Sequence, residues 1–112
     1  MDSSPDYGEI PMEMTSAIEI TSEQRDLLVS VLRQFIPGVA IWAYGSRVRR
    51  TSRAHSDLDL VVFATPDQQA SVCDLREALD ESNLPFLVDL HVWDDLPDRF
   101  QDFIRQEYFI IQ

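Results

Sequence analysis

Lysine is absent: all nine basic side chains among the 112 residues are arginine, against 20 acidic ones, for a formal net charge of −11. So little positive charge argues against direct nucleic-acid binding, because phosphate backbones demand a basic footprint. It suits long-range steering toward a basic partner protein instead. The single cysteine, Cys73, rules out an internal disulfide. It reads as a small core residue on a helix face. No Cys/His set stands at zinc spacing. No apolar run reaches membrane-spanning length and no basic start leads into an apolar stretch, so a cytoplasmic location away from membranes is expected. Repeats and low-complexity tracts are missing too. A chain of 112 residues with 45% hydrophobic content supports one layered core.

Residues 1–17 contain Asp2, Asp6, Glu9 and Glu13 with two prolines and no basic side chain, which predicts a flexible acidic extension ahead of a domain over residues 18–112. Thr21 and Gln24 have capping-box spacing, and Leu27, Leu28, Val31, Leu32 and Phe35 recur at helical intervals up to Pro37-Gly38. A strand is expected over residues 39–44, a second over 58–63 and a third over 86–92. Between the last two, Thr65-Pro66-Asp67 opens a helix whose apolar side is Val72, Leu75, Ala78 and Leu79. A final helix carries Leu96, Phe100, Phe103 and Ile104, and Tyr108 to Ile111 forms either an edge strand or a docking strip. This alternation predicts an α/β fold, a small mixed β-sheet packed with helices.

The chemistry concentrates between residues 45 and 59. Asp57 and Asp59 flank Leu58 at the head of a strand, so both carboxylates point the same way, about 7 Å apart by two strand rises. Such a pair resists joint ionisation unless a cation intervenes, and magnesium, with its preference for carboxylate and phosphate oxygens, is the natural one. With ten residues between Ser46 and Asp57, the pair Gly45-Ser46 follows an apolar strand. A short helix starting near Ser46 would present free backbone N–H groups and a hydroxyl to an anion, with Gly45 allowing close approach. Asp89, in the middle of the third strand, would be expensive to bury alone and has a reason to be there beside two metal-binding carboxylates. The alternative for Asp89 and His91 is the wet face of an edge strand.

The run Tyr44-Gly45-Ser46-Arg47-Val48-Arg49-Arg50, then Ser56-Asp57-Leu58-Asp59-Leu60, with Val88-Asp89-Leu90 beyond, resembles the minimal nucleotidyltransferases of the polymerase-beta-like superfamily. The likeness covers residues 18–112 and looks strongest toward small antitoxins paired with HEPN-domain ribonuclease toxins. The resemblance implies the nucleotidyltransferase fold, ATP as substrate and two magnesium ions held by Asp57, Asp59 and Asp89. It also implies that Gly45, Ser46, Arg47 and Arg49 bind the nucleotide, Arg47 stabilising charge on departing pyrophosphate. The implied reaction is AMP transfer to a hydroxyl, a tyrosine's, of a HEPN toxin held in a hetero-oligomeric complex. Two rivals are an antitoxin acting by occlusion without catalysis and an enzyme acting on a small molecule. The second would need an acceptor-binding region for which a chain this short has little room.

Among the remaining polar residues, Arg50 and Arg53 read as a solvated basic loop, and His55 and His91 as bystanders, with His91 the better placed for a supporting contact. Trp42 and Trp93 are expected to pack rather than to stack on adenine. Arg76, Arg99 and Arg105 are expected on solvated helix faces or at a partner contact.

Overall fold

The computed structural model describes residues 18–49 and 56–112. The expected acidic extension over residues 1–17, together with Arg50, Arg53, His55 and the side chain of Arg49, lies outside the described residues.

Helix α1, Ser22–Phe35, begins at a reciprocal cap: Thr21 Oγ1 accepts from the Gln24 N–H at 3.1 Å, and Gln24 Oε1 accepts from the Thr21 N–H at 2.9 Å. The cap satisfies two backbone donors that a helix start leaves unpaired. Leu28 and Leu32 turn inward, and the helix ends at Ile36, whose N–H donates to the Leu32 carbonyl, with Pro37 unable to continue it and Gly38 turning the chain at a φ of +76°. Strand β1, Ile41–Tyr44, leads through Gly45 into the short helix α2, Ser46–Arg49. Strand β2 is Leu58–Val62, and a 3-10 turn at Pro66–Gln68 precedes helix α3, Gln69–Asp80. Strand β3, Val88–Val92, a 3-10 turn at Trp93–Asp95, helix α4, Asp98–Gln106, and the two-residue strand β4, Phe109–Ile110, complete the order.

The four strands run β3-β2-β1-β4, with β2 and β3 parallel and the other two pairings antiparallel. The mixed α/β sheet packed with helices is therefore present as expected, and the Tyr108–Ile111 segment supplies an edge strand. Alternation along the strands divides the interior in two. Ile41, Ala43, Leu58, Leu60, Val62 and Leu90 join α1 and α3 in the larger core. On the other face Tyr44 and Val61 meet Ile104 of α4, flanked by Trp42, Phe63, Trp93 and Leu96. Trp42 stacks on Tyr108 with ring centroids 3.9 Å apart and meets Phe63 and Trp93 edge-on, so both tryptophans pack as expected.

One expectation is corrected here. Cys73 is exposed: the inward stripe of α3 is Val72, Leu75 and Leu79, and Cys73, about 100° beyond Val72, turns to solvent. Arg76 is exposed on α3 as expected, and it reaches across the outer edge of the sheet, its Nε and Nη2 donating to the Leu90 carbonyl at 3.2 and 3.0 Å. It thereby covers an edge carbonyl that strand pairing leaves open.

Leu60 is wholly buried in the larger core. Leu60→Ala is expected to lower unfolding free energy by about 2–5 kcal/mol, read as a fall in the urea midpoint with an unchanged slope.

Candidate active site

Strand parity puts Tyr44, Asp59 and Asp89 on the α4 side of the sheet, and register puts them in one row. Tyr44 is opposite Asp59 across the β1/β2 pair, and Asp59 is opposite Asp89 across the parallel β2/β3 pair. Neighbouring strands stand about 4.8 Å apart, so two carboxylates become adjacent by backbone pairing alone. Below the row, the aromatic cluster around Trp42 fills the space under α4. At the rim, Phe100 meets Tyr44 edge-on at 5.8 Å.

The electrostatics follow from this row. Asp59 is half-buried, and its carboxyl is held above the usual carboxylate range by burial first, then by the charges of Asp89 and Asp57, with His91 pulling the other way. Burial, aided by Asp59 and Asp89, also makes the Tyr44 hydroxyl much harder to ionise than a free phenol. His91 Nε2 lies 3.2 Å from Asp89 Oδ2, the supporting contact for which it was the better placed histidine.

Gly45 touches this row directly. Its φ is +85°, and a Cβ added there would collide with Asp59 Oδ2. A side chain at this position would meet both an unfavourable backbone conformation and the carboxylate. The turn closes with a 3.0 Å bond from the Val48 N–H to the Gly45 carbonyl, and Ser46 starts α2 as expected.

Asp57 stands exposed just ahead of β2, close enough for its charge to be felt at Asp59. Among the described residues, no three acidic, histidine or cysteine side chains converge on one chelating centre. The closely matched donors are Asp59 and Asp89. The donor chemistry nevertheless fits a hard divalent cation: the ligands are carboxylate oxygens, and the charge repulsion raising Asp59 is what a cation relieves.

Arg47, expected to bind the nucleotide, is engaged with the protein's own backbone. It is 6% exposed, with Nε and Nη2 donating to the Ser56 carbonyl at 3.1 and 2.9 Å and Nη1 donating to the Glu19 carbonyl at 2.6 Å. Its guanidinium also lies 4.2 Å from the centre of the Phe86 ring. Arg105, expected on a solvated face, pairs with Asp102 at 2.8 Å and covers Trp93 at 5.0 Å.

Residues 26–111 match the polymerase beta nucleotidyltransferase family. The chain belongs to this family, in its minimal, MntA-like branch. Over 102 residues, 90% of each chain, this nucleotidyltransferase is 35% identical to the probable protein adenylyltransferase MntA of Haemophilus influenzae. It shares its fold, at 20% identity and a TM-score of 0.56, with a crystal structure of a toxin-antitoxin with AMP-PNP, the match covering 79% of this chain and 72% of that one.

Sequence reading missed Tyr44 and Phe86 as neighbours of the site. Tyr44 had a signal: it shares strand parity with Trp42 and immediately precedes the Gly45 turn. Phe86 had none, because its contact with Arg47 joins residues on separate elements.

The folded state binds a proton at Asp59 more readily than the unfolded chain does. Metal-free stability should therefore fall as pH rises from the usual carboxylate pKa toward the raised value. In EDTA, Asp59→Asn is expected to melt at or above the wild-type temperature at about pH 7 and to lose less stability between about pH 4 and 7. Calorimetric scans check this, and a variant melting well below wild type at neutral pH would contradict it.

Proposed function

We propose that this nucleotidyltransferase is an antitoxin-type protein adenylyltransferase, moving AMP from ATP to a hydroxyl, a tyrosine's, of a HEPN ribonuclease toxin and so silencing it in the cytoplasm. The observation that carries the reading is the pairing of Asp59 with Asp89 across β2 and β3, with Gly45 packed on the Asp59 carboxylate. It brings a pair of acidic oxygen donors against a tight turn that follows a strand. The relative named as a probable protein adenylyltransferase supports the transfer chemistry, and the toxin-antitoxin that shares the fold supports a toxin as acceptor. Among the described residues no helix is long and apolar enough to cross a membrane.

Asp57, Asp59 and Asp89 would hold magnesium, two ions in all, which when bound neutralise the triphosphate and make the attacking hydroxyl more acidic. The acceptor oxygen attacks the α-phosphorus, the bond to the bridging oxygen breaks, and pyrophosphate leaves with its electron pair. Asp89 accepts the hydroxyl proton, its carboxylate oriented by His91 at 3.2 Å. The Gly45-Ser46 turn offers backbone amides and a hydroxyl to the phosphates. With Arg47 engaged on backbone carbonyls, Arg49 is the basic residue of this stretch assigned to the pyrophosphate charge.

With ATP labelled at the α-phosphate and a co-purified HEPN toxin, Asp57→Asn or Asp59→Asn is expected to lower toxin labelling by about 100-fold or more. The far-UV spectrum should stay unchanged. Wild-type labelling by either folded variant would remove the mechanism, and full neutralisation by the double variant would replace catalysis with occlusion.

A further inference from the structure

We infer that Arg47 is a positioning residue, holding the approaches to Asp57 and Asp89 in the spacing that cation binding requires; this rests on the metal-dependent function proposed above. Among the described residues Arg47 is the buried charged side chain. It sits in α2, two residues after Gly45, so its backbone is tied to the turn that packs against Asp59. Its Nε and Nη2 grip one carbonyl, that of Ser56, the residue immediately before Asp57. Its Nη1 holds the Glu19 carbonyl, and its own carbonyl accepts from the Glu19 N–H at 2.8 Å. The guanidinium face lies on Phe86, which stands two residues before β3 and three before Asp89. A bond of 2.8 Å from the Leu58 N–H to the Leu87 carbonyl then joins the two approaches to each other. One residue thus joins the turn, through its backbone, to the lead-in of each of the two strands that supply the acidic donors, through its side chain.

Arginine suits the task in a way lysine does not. A planar fork can donate two parallel bonds to one carbonyl, a third to another, and still lay its face on an aromatic ring. A lysine ammonium is a point donor that would keep one of these contacts and lose the bidentate grip. Asp57 is exposed, and the hold on the Ser56 carbonyl restrains the backbone that carries its carboxylate. Groups that orient metal-binding side chains from behind typically change metal affinity about 10- to 100-fold when removed.

The test titrates Mn2+ alone, and Mn2+ with AMP-PNP, into the full chain, counting free ion by electron paramagnetic resonance. Arg47→Lys and Phe86→Leu are compared with wild type well below their melting temperatures. Val72→Ala, in the α3 core beside Ala64 and Val92, controls for lost stability. Arg47→Lys is expected to weaken Mn2+ binding about tenfold or more, and Phe86→Leu by a smaller factor, while Val72→Ala lowers the melting temperature without moving the affinity. Unchanged affinity in folded Arg47→Lys overturns the inference. Should Arg47→Lys fail to fold, Phe86→Leu decides alone, weakened binding supporting the inference and unchanged binding overturning it. A wild-type chain that takes up no more Mn2+ than Asp59→Asn would instead remove the metal-dependent reading, and this inference with it. Binding lost in Val72→Ala as much as in Arg47→Lys would also overturn it, by showing a general structural effect.

Discussion

Two like charges are forced together by the register of a parallel strand pair, and much of the molecule can be understood as holding them there. At about 5 Å the repulsion between unit charges is roughly 1–3 kcal/mol across the range from water to a protein surface. The low end applies here, since the Asp89 side chain is 53% exposed. Even so, this is a visible fraction of the roughly 5–15 kcal/mol by which domains are stable. The larger core behind β2, where Leu58, Leu60 and Val62 are fully buried, supplies the opposing stabilisation. Strand β2 cannot slip by one residue without exposing those three side chains and burying Asp59. The packing of one face therefore enforces the charge pairing on the other.

The sheet divides its labour between faces. Helices α1 and α3 cover one with aliphatic side chains, while α4 and an aromatic cluster cover only part of the other. The uncovered remainder holds Asp59 and Asp89, in one row with the buried Tyr44. Gly45 suits this arrangement because its turn passes so near Asp59 Oδ2 that a β-carbon would not fit. The site is thus built from regular strands and one tight turn, elements whose geometry is least easily deformed.

The parts of this design that follow from short-range pattern were readable in the sequence. Alternation placed Leu58, Leu60 and Val62 on one face and Asp59 on the other, and the Thr21/Gln24 spacing announced the cap of α1. The pairing of Asp59 with Asp89 was expected only as a convergence of acidic side chains, because strand order and register depend on long-range contacts. The contacts of Arg47 were hidden for the same reason: its partners, Glu19, Ser56 and Phe86, are scattered along the chain, and an arginine after a glycine turn looks the same whether it faces ligand or carbonyl. Cys73 was misplaced by one helical step, since a small apolar residue next to Val72 gives no sign of which side of the stripe it takes. Arg76 is exposed as expected, but its bonds to the Leu90 carbonyl were not readable, because nothing local reveals that β3 is an edge strand.

The position of Cys73 has a practical corollary. Its thiol is exposed on α3, which packs on the face of the sheet opposite the acidic row. As the chain's one cysteine in a sequence without lysine, it offers a unique side-chain handle for a fluorophore or surface tether. A reporter fixed there would view events at the rim through the whole thickness of the fold, without competing for the ground where substrates meet.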